Sequence, residues 1–546
     1  MKQVFYSLSL ALPGKPIPAL IHSAALLCAA ALMLLPIQTV QAGPEGQLDL
    51  TFSHDGKTTA NLGEGQDGMA VIVQKDGKIV VVGDMLPAVG PRDFAVARFN
   101  ADGTPDSGFG GDGTVTTNIG SNLDLGQTTS YDSSTAAAIQ KDGKIVVAGF
   151  TNAGKKNFFD FDFAVVRYLP NGDLDSTFGK NGIVTTTFTS DSEDRAFAVA
   201  VQSDGKIVVA GSSPNAPGFN DFALARYLPD GTPDKSFSGD GRVITDFTGG
   251  FDFAKSMVIQ KNGKIVLAGP TTATHLSVDF GLARYNTDGS LDNSFGGDGR
   301  AVTDFFGLED ELSAIALQAD GKIVAVGTTT DGFVFDFSLA RYLPNGSLDK
   351  GFSGDGRIIS DFGSNTERAF DVTVQPDGKI IAAGESFQRT NDFALAHYLS
   401  NGTLDQSFGT HGKVFTDFKD AHFGTSQSDS ARAITLQKDG KIVAAGATFG
   451  ASDPVFAVAR YRTFVCNGQD VTLLGSNNND TLNGTQKRDV ISGLGGNDIL
   501  RGFGGDDLLC GNEGDDKLDG GSGNDNCNGG LGTDTAVSCE LKSNIP

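Results

Sequence analysis

No tryptophan occurs in the 546-residue chain, and methionine, histidine and cysteine number only five, six and five. Four of the cysteines, Cys466, Cys510, Cys527 and Cys539, fall within the last 81 residues. The long stretch before them therefore has no internal disulfides and must be held by its own core. The six histidines show no metal-ligand spacing, which excludes a zinc-type histidine cluster. No Gly-x-Ser-x-Gly elbow and no phosphate-cradling loop stands in a credible context, so no catalytic residue is named and an enzymatic role is not expected. Positive charge is also short: 42 Lys and Arg face 66 Asp and Glu, a net charge of −24. Such a surface repels nucleic acid and anionic lipid, which are bound mainly through clustered Lys and Arg. It suits solubility and divalent cations. In place of the missing residues stand 39 Phe and 73 Gly, the composition of many short, tightly turned strands packing aromatic rings.

The first 42 residues carry only Lys2 and Lys15 as charges, then an apolar stretch from Ile17 to Leu35, then Val40-Gln41-Ala42. This pattern predicts a signal peptide over 1–42, cleaved before Gly43. The alternative is a transmembrane anchor, but Pro18 and Pro36 interrupt the stretch and no positive cluster follows it. Cys28 follows a leucine where a lipidated cysteine wants a small residue, so it reads as part of the apolar segment. No second apolar run of spanning length follows. The expectation is a secreted or cell-surface monomer with no integral membrane segment after cleavage. Its four remaining cysteines form two disulfides, in an arrangement that three pairings satisfy.

A self-comparison exposes the main domain, predicted over 43–463. The phrase Gln-x-Asp/Asn-Gly-Lys-Ile occurs seven times, with its lysine at Lys78, Lys144, Lys206, Lys264, Lys322, Lys379 and Lys441. The spacing is 57 to 66 residues. Each unit offers four strands, as in AFAVAVQ (196–202), KIVVAG (206–211), FALARY (222–227) and GRVITDF (241–247). In Gln375-Pro376-Asp377-Gly378 the proline fits the second position of a type I turn and the glycine the left-handed position that closes a bulged hairpin. The KIVVAG segments are apolar almost throughout, as in strands buried on both faces. Seven units of four short antiparallel strands predict an all-β, seven-bladed β-propeller. A solenoid coil needs far fewer residues, and sandwich domains run nearer to about 100.

The run LDxSFGxDGxVxTDF…QxDGKIVVAG…DFALARYLPDG resembles the delta-60 repeat family of bacterial β-propellers, over about three-quarters of the chain. The resemblance implies the fold and little about activity. The last copy ends at FAVARYRT (456–463) without an outer strand, while the spare element LDLTFSHDGKTTANL (48–62) precedes the first hairpin. The N-terminal segment is therefore expected to supply the outer strand of the last blade.

Within the repeat, Asp93/Arg98, Asp162/Arg167, Asp221/Arg226, Asp279/Arg284 and Asp336/Arg341 recur. A residue present in every blade obeys the repeat, so these read as structural ion pairs involving Asp246, Asp304, Asp361 and Asp417 of the TDF strand. Asp175, Asp234, Asp292, Asp349 and Asp405 in LDxSF read as turn caps. Where the repeat is broken, His397 replaces the arginine and His411 replaces an aspartate, and both read as exposed polar residues. The loops 121–135, 151–161 and 421–430 are insertions without a recognisable constellation.

From Gly475 the rhythm changes. Asp480, Asp489, Asp498, Asp507, Asp516, Asp525 and Asp534 are nine residues apart without a slip. Around them, GLGGNDILR (493–501) and GFGGDDLLC (502–510) resemble the haemolysin-type (RTX) nonapeptide repeat, which implies a short parallel β-roll over 464–546 that binds Ca²⁺. Six residues of each unit are expected to form a turn offering carbonyl and Asp oxygens, hard ligands that suit calcium. The last three form a short strand whose middle residue fills the core: Leu482, Ile491, Leu500, Leu509, Leu518, Cys527 and Ala536. With two units per coil, aspartates 18 apart face one another. Lys487 and the missing glycines of 475–483 weaken the first sites, leaving Asp498, Asp507, Asp516 and Asp525 as the strongest. The functional expectation is a calcium-binding protein with a propeller that binds an extracellular glycan or surface protein or serves as a scaffold. The alternative is a secreted propeller hydrolase or lyase acting on an extracellular polymer.

Overall fold

A computed structural model describes residues 45–545, except 88–89, 123–129, 156, 158, 191, 216–217, 248, 273–276, 306–308, 365, 389, 419–427, 450–452, 468 and 477. The signal-peptide reading of 1–42 lies outside the described residues, as does much of the insertions 121–135 and 421–430. Among the described residues no helix is long and apolar enough to cross a membrane.

Seven four-stranded antiparallel sheets follow one another as blades. Blade 1 runs through Glu64–Val73, Ile79–Leu86, Asp93–Phe99 and Thr114–Thr117, and blades 2 to 6 repeat this order. Blade 7 takes Asp429–Leu436, Ile442–Phe449 and Pro454–Tyr461 from the end of the repeat region and Lys57–Ala60 from its beginning. Lys57 pairs with Ala459 and Ala60 with Phe456, so the ring closes as the orphaned N-terminal element requires. At the hairpins, Gly378 takes φ 81° and donates its N–H to the Gln375 carbonyl at 2.9 Å, the bulged turn expected of a proline at 376.

The first strands of successive blades neighbour one another in a closed ring. The second strands are buried along nearly their whole length, as in Ile145–Thr151 and Ile265–Thr271, because a blade lies against each of their faces. Seven apolar clusters fill the seven junctions, each built from two adjacent blades. A buried tyrosine crosses each of six junctions to a hydroxyl on the preceding outer strand: Tyr168 to Thr117 at 2.8 Å, Tyr285 to Thr245 at 2.8 Å, Tyr461 to Thr416 at 2.8 Å. At the seventh, Phe99 and Ala60 replace the tyrosine and its hydroxyl partner together.

The ion pairs differ from the sequence expectation. Arg98, Arg167, Arg226, Arg284 and Arg341 bond the aspartate eight residues on, as in Arg167 Nε to Asp175 at 2.8 Å and Arg226 Nε to Asp234 at 2.8 Å, not Asp162 or Asp221. Residues five apart on a strand point to opposite faces, which separates Asp221 from Arg226. The LDxSF aspartate does cap its turn as well, accepting from the Thr177 amide at 3.1 Å in the case of Asp175. The signature lysine adds a second cation, with Lys144 Nζ 3.1 Å from Asp175 and Lys206 Nζ 3.2 Å from Asp234. Burial raises Asp175 and Asp234, but their hydroxyl and amide donors and the two cations hold both down at about 2. Asp49 meets Arg460 at 2.8 Å and Lys441 at 3.0 Å, fastening the two ends of the ring.

His397 is buried, not exposed: it takes the arginine's place in blade 6, 2.6 Å from Gln375 Oε1 and 3.5 Å from Asp405 Oδ2. Burial and the Lys379 ammonium push its imidazole down to about 3. His411 is exposed.

After blade 7 the chain turns into a parallel β-solenoid of about four turns, with strands of two sheets stacked 18 residues apart: Leu473 on Ile491, Leu482 on Leu500. Phe464, Cys466, Val471, Val490, Leu508 and Cys510 form one apolar cluster at its entry. Cys466 bonds Cys510 and Cys527 bonds Cys539, with Cα–Cα distances of 5.8 and 6.0 Å. One pair ties the entry to the second coil and the other seals the last.

Candidate metal centre

The nonapeptide dictates the solenoid's geometry position by position. Ile491, Leu500, Leu509, Leu518 and Cys527 point inward as the core, with Leu482 and Ala536 packed at the ends. The strands are longer than three residues: Ile499–Gly504, Leu508–Glu513, Lys517–Ser522 and Asn526–Leu531 each run into the next unit. The opening residues of each unit continue the parallel ladder, as Leu494 on Asn512 shows, so the turn shortens to about three residues. Left-handed backbone falls at the second and fourth positions, with φ 76° at Leu494 and 101° at Gly496.

The aspartates line up on two edges. On one, the Asp480 amide donates to Asp498 Oδ1 at 2.8 Å, Asp498 to Asp516 at 2.8 Å and Asp516 to Asp534 at 2.9 Å. On the other, Asp489 donates to Asp507 at 2.7 Å, Asp507 to Asp525 at 2.7 Å, and Asp525 to Glu540 at 2.7 Å. One carboxylate oxygen of Asp498, Asp507, Asp516, Asp525 and Asp534 thus holds the preceding coil.

The second oxygen is handled in two ways. Asp480 Oδ2 accepts from the Ser476 amide and hydroxyl at 2.7 and 2.9 Å, and Asp489 Oδ2 from those of Thr485 at 2.6 and 2.9 Å. In Asp498, Asp507, Asp516, Asp525 and Asp534 the Oδ2 atom is buried and accepts no hydrogen bond. These five residues are at most 3 % exposed. An anionic oxygen buried without a donor is costly unless a cation meets it. A glycine opens the unit beside each: a Cβ at Gly493, Gly502 or Gly511 would lie 2.2 Å from the Oδ2 of Asp498, Asp507 or Asp516. The glycine therefore keeps a cradle clear next to a carboxylate oxygen. Burial lifts Asp498 and Asp516 to about 6, and repulsion from their stacked neighbours adds to it; Asp507 is raised for the same reasons. Oxygen-only donors, orphaned and in register, fit calcium. The signal separating Ser476 and Thr485 from the later units is legible as a hydroxyl residue at the second position, where the stronger units have Leu494, Phe503, Asn512, Gly521 and Gly530.

Comparison with known proteins agrees with this geometry. The family model described as "Domain of unknown function (DUF5122) beta-propeller" matches seven segments, 74–109, 140–178, 202–237, 260–295, 318–352, 375–408 and 437–463. The RTX calcium-binding nonapeptide repeat matches 474–509 and 501–536. No curated protein matches the chain in sequence. Among solved structures, a protein of unknown function from Dyadobacter fermentans is similar at 10 % identity and TM-score 0.38, over 75 % of this chain and 98 % of that one. A glucose dehydrogenase is similar at 11 % identity and TM-score 0.35, over 59 % of this chain and 95 % of that one. A polysaccharide lyase, an ulvan lyase, is similar at 11 % and 0.34, over 61 % and 78 %. Likeness this distant carries no functional argument. With seven propeller segments and two nonapeptide segments matched, the chain is a DUF5122 β-propeller repeat protein with a C-terminal RTX calcium-binding nonapeptide array.

Proposed function

We propose that this is an exported, monomeric calcium-binding protein whose propeller, over 43–463, presents a binding surface to an extracellular glycan or cell-surface protein. The roll, over 464–546, folds around Ca²⁺. The observation that carries the calcium reading is the row of five buried, donor-less Oδ2 atoms at Asp498, Asp507, Asp516, Asp525 and Asp534. Asp480 and Asp489 complete the row as weaker ligands, because Ser476 and Thr485 already satisfy them. Calcium bound there supplies positive charge between stacked carboxylates and so couples folding of the roll to the ion. Two disulfides and a calcium requirement fit an oxidising, calcium-rich compartment outside the cell, reached through the signal segment 1–42.

The binding reading is supported by one rim of the propeller. Where the second strand of a blade passes to the third, an apolar side chain stands exposed: Phe159 61 %, Phe219 41 %, Phe333 88 %, Phe387 49 % and Phe449 45 %. The same rim position of five blades thus carries an exposed aromatic side chain that a partner could cover. Circular dichroism of a 464–546 fragment tests the first part: coil turns to strand on adding calcium, and no change at about millimolar calcium contradicts it. A glycan and surface-protein binding screen of the mature chain with and without EDTA tests the second. Calcium-dependent retention is expected, whereas turnover of a polysaccharide replaces adhesion by the hydrolase or lyase reading.

A further inference from the structure

The rim that carries the exposed phenylalanines also holds a recess of about 370 Å³ between blades 4 and 5. Phe251, Phe253, Pro270 and Val278 form its apolar lining, and Glu309 and Glu311 enter it from the first strand of blade 5. Phe251 is 46 % exposed. The Phe219 ring meets it edge-on at 4.8 Å, and the Phe253 ring lies parallel to it at 6.4 Å. Neighbours on two sides thus hold the exposed ring in one orientation before any partner arrives.

Two other junctions occupy the same frame and hold an arginine against aromatic rings. Seven residues before the glutamine of the repeat phrase, blade 3 has Arg195 and blade 6 has Arg368. The Arg195 guanidinium lies 5.1 Å from the Phe150 ring and 5.0 Å from the Phe161 ring of blade 2. That of Arg368 lies 5.1 Å from the Phe335 ring of blade 5. The same position in blade 5 is Glu311. At this junction a carboxylate stands where two others place a guanidinium, although the face of an aromatic ring attracts cations.

Lys255 does not take the arginine's place. Its ammonium pairs with Glu311, and among the described residues no cation lies over Phe251 or Phe253. Glu309 is exposed and has no ion-pair partner among the described residues. Two glutamates against one lysine leave the recess with a net negative charge.

We propose that this recess receives an arginine side chain from a basic segment of the propeller's extracellular protein partner. The guanidinium plane stacks on Phe251 while its N–H groups reach Glu309 and Glu311. A flat fork of five donors can do both at once, which the compact ammonium of lysine cannot. The chain's net charge of −24 draws a basic segment towards it. The inference rests on the binding reading above and narrows its partner from a glycan or protein to a protein.

Fluorescence anisotropy of the calcium-saturated, mature full-length chain tests it, with a labelled peptide of alternating arginine and glycine at physiological salt. Replacing each arginine by citrulline, flat but uncharged, is expected to abolish binding. Phe251→Ala should weaken it about 2- to 30-fold, the range of one cation–aromatic contact. Glu311→Arg installs the residue that blades 3 and 6 already accept at this position. The recess is then filled from within, and binding should be lost with the thermal melt unchanged. Glu309→Gln should weaken binding by up to about fivefold. Glu193→Gln removes the same charge at the equivalent position of blade 3, where Arg195 already covers the rings, and should leave the affinity unchanged. Equal affinity of the wild type and Glu311→Arg overturns the proposal, as does a citrulline peptide bound as tightly as the arginine one. A loss in Glu193→Gln as large as in Glu309→Gln assigns the binding to general charge and overturns it too. A chain that captures a glycan but no arginine peptide overturns this inference alone, whereas a chain that captures neither removes the binding reading with it.

Discussion

The propeller and the roll both bury aspartates, with opposite provision for their charge. In the propeller, Asp175 and Asp234 each meet a lysine and an arginine that the repeat itself supplies, and both stay ionised well into acid. In the roll, Asp498 stacks on Asp516 and Asp507 on Asp525, with no lysine or arginine at ion-pair distance among the described residues. The first arrangement is complete when the chain folds. The second leaves carboxylate oxygens without a partner. On the proposed reading of an exported, calcium-binding chain, this division lets the large domain form anywhere and ties the small one to calcium.

Removing a built-in partner has the largest expected effect. Asp234→Ala leaves the buried Arg226 guanidinium without its carboxylate, a loss of about 3–5 kcal/mol. Urea denaturation followed by the propeller's signal should show it equally with calcium and with EDTA; a loss that appears only in EDTA breaks the distinction between the two regions. A smaller and calcium-linked effect is expected from Gly511→Ala, whose Cβ would sit 2.2 Å from Asp516 Oδ2. Crowding of this kind costs about 1–3 kcal/mol, so calcium affinity of the roll should fall about 5- to 150-fold while the propeller melt is unchanged. Calorimetric titration measures it.

The pH response is smaller still and differs in sign between the regions. Asp498 and Asp516 have folded-state values raised to about 6, so without calcium the roll's stability is greatest near pH 4 and declines as pH rises through 6. With calcium the sign reverses, because protons compete with the ion. Asp175 and Asp234, depressed to about 2, contribute stability above the ordinary carboxylate range and lose it only as pH falls through about 2. Lowering pH from 7 to 5 should therefore raise strand content of the roll in EDTA, lower it at limiting calcium, and leave the Arg-paired aspartates unmoved. Circular dichroism of the 464–546 fragment at the two pH values separates these outcomes.

Much of this was legible in sequence because repetition converts tertiary relations into spacing. Seven copies of Gln-x-Asp/Asn-Gly-Lys-Ile imply seven blades, the unpartnered element at 48–62 implies closure at blade 7, and aspartates nine apart imply edges with partners 18 apart. What stayed hidden depends on directions across turns. Arg226 and Asp234 are joined only by the bend between the third strand and the LDxSF turn, whereas Asp221 is nearer to the eye but on the opposite face. His397 read as exposed because its burial follows from the arginine slot it fills, visible only once the register of neighbouring blades is known.

Hydrogen exchange of the full mature chain with and without calcium tests the central claim most directly. Amides of 490–531 should slow about a hundredfold or more when calcium is about 100-fold above its dissociation constant. The second strands of the blades, such as Ile145–Thr151 and Ile323–Thr330, should remain protected in both conditions. A roll equally protected in EDTA would contradict the account, because its stacked aspartates would then be stable without an external ion.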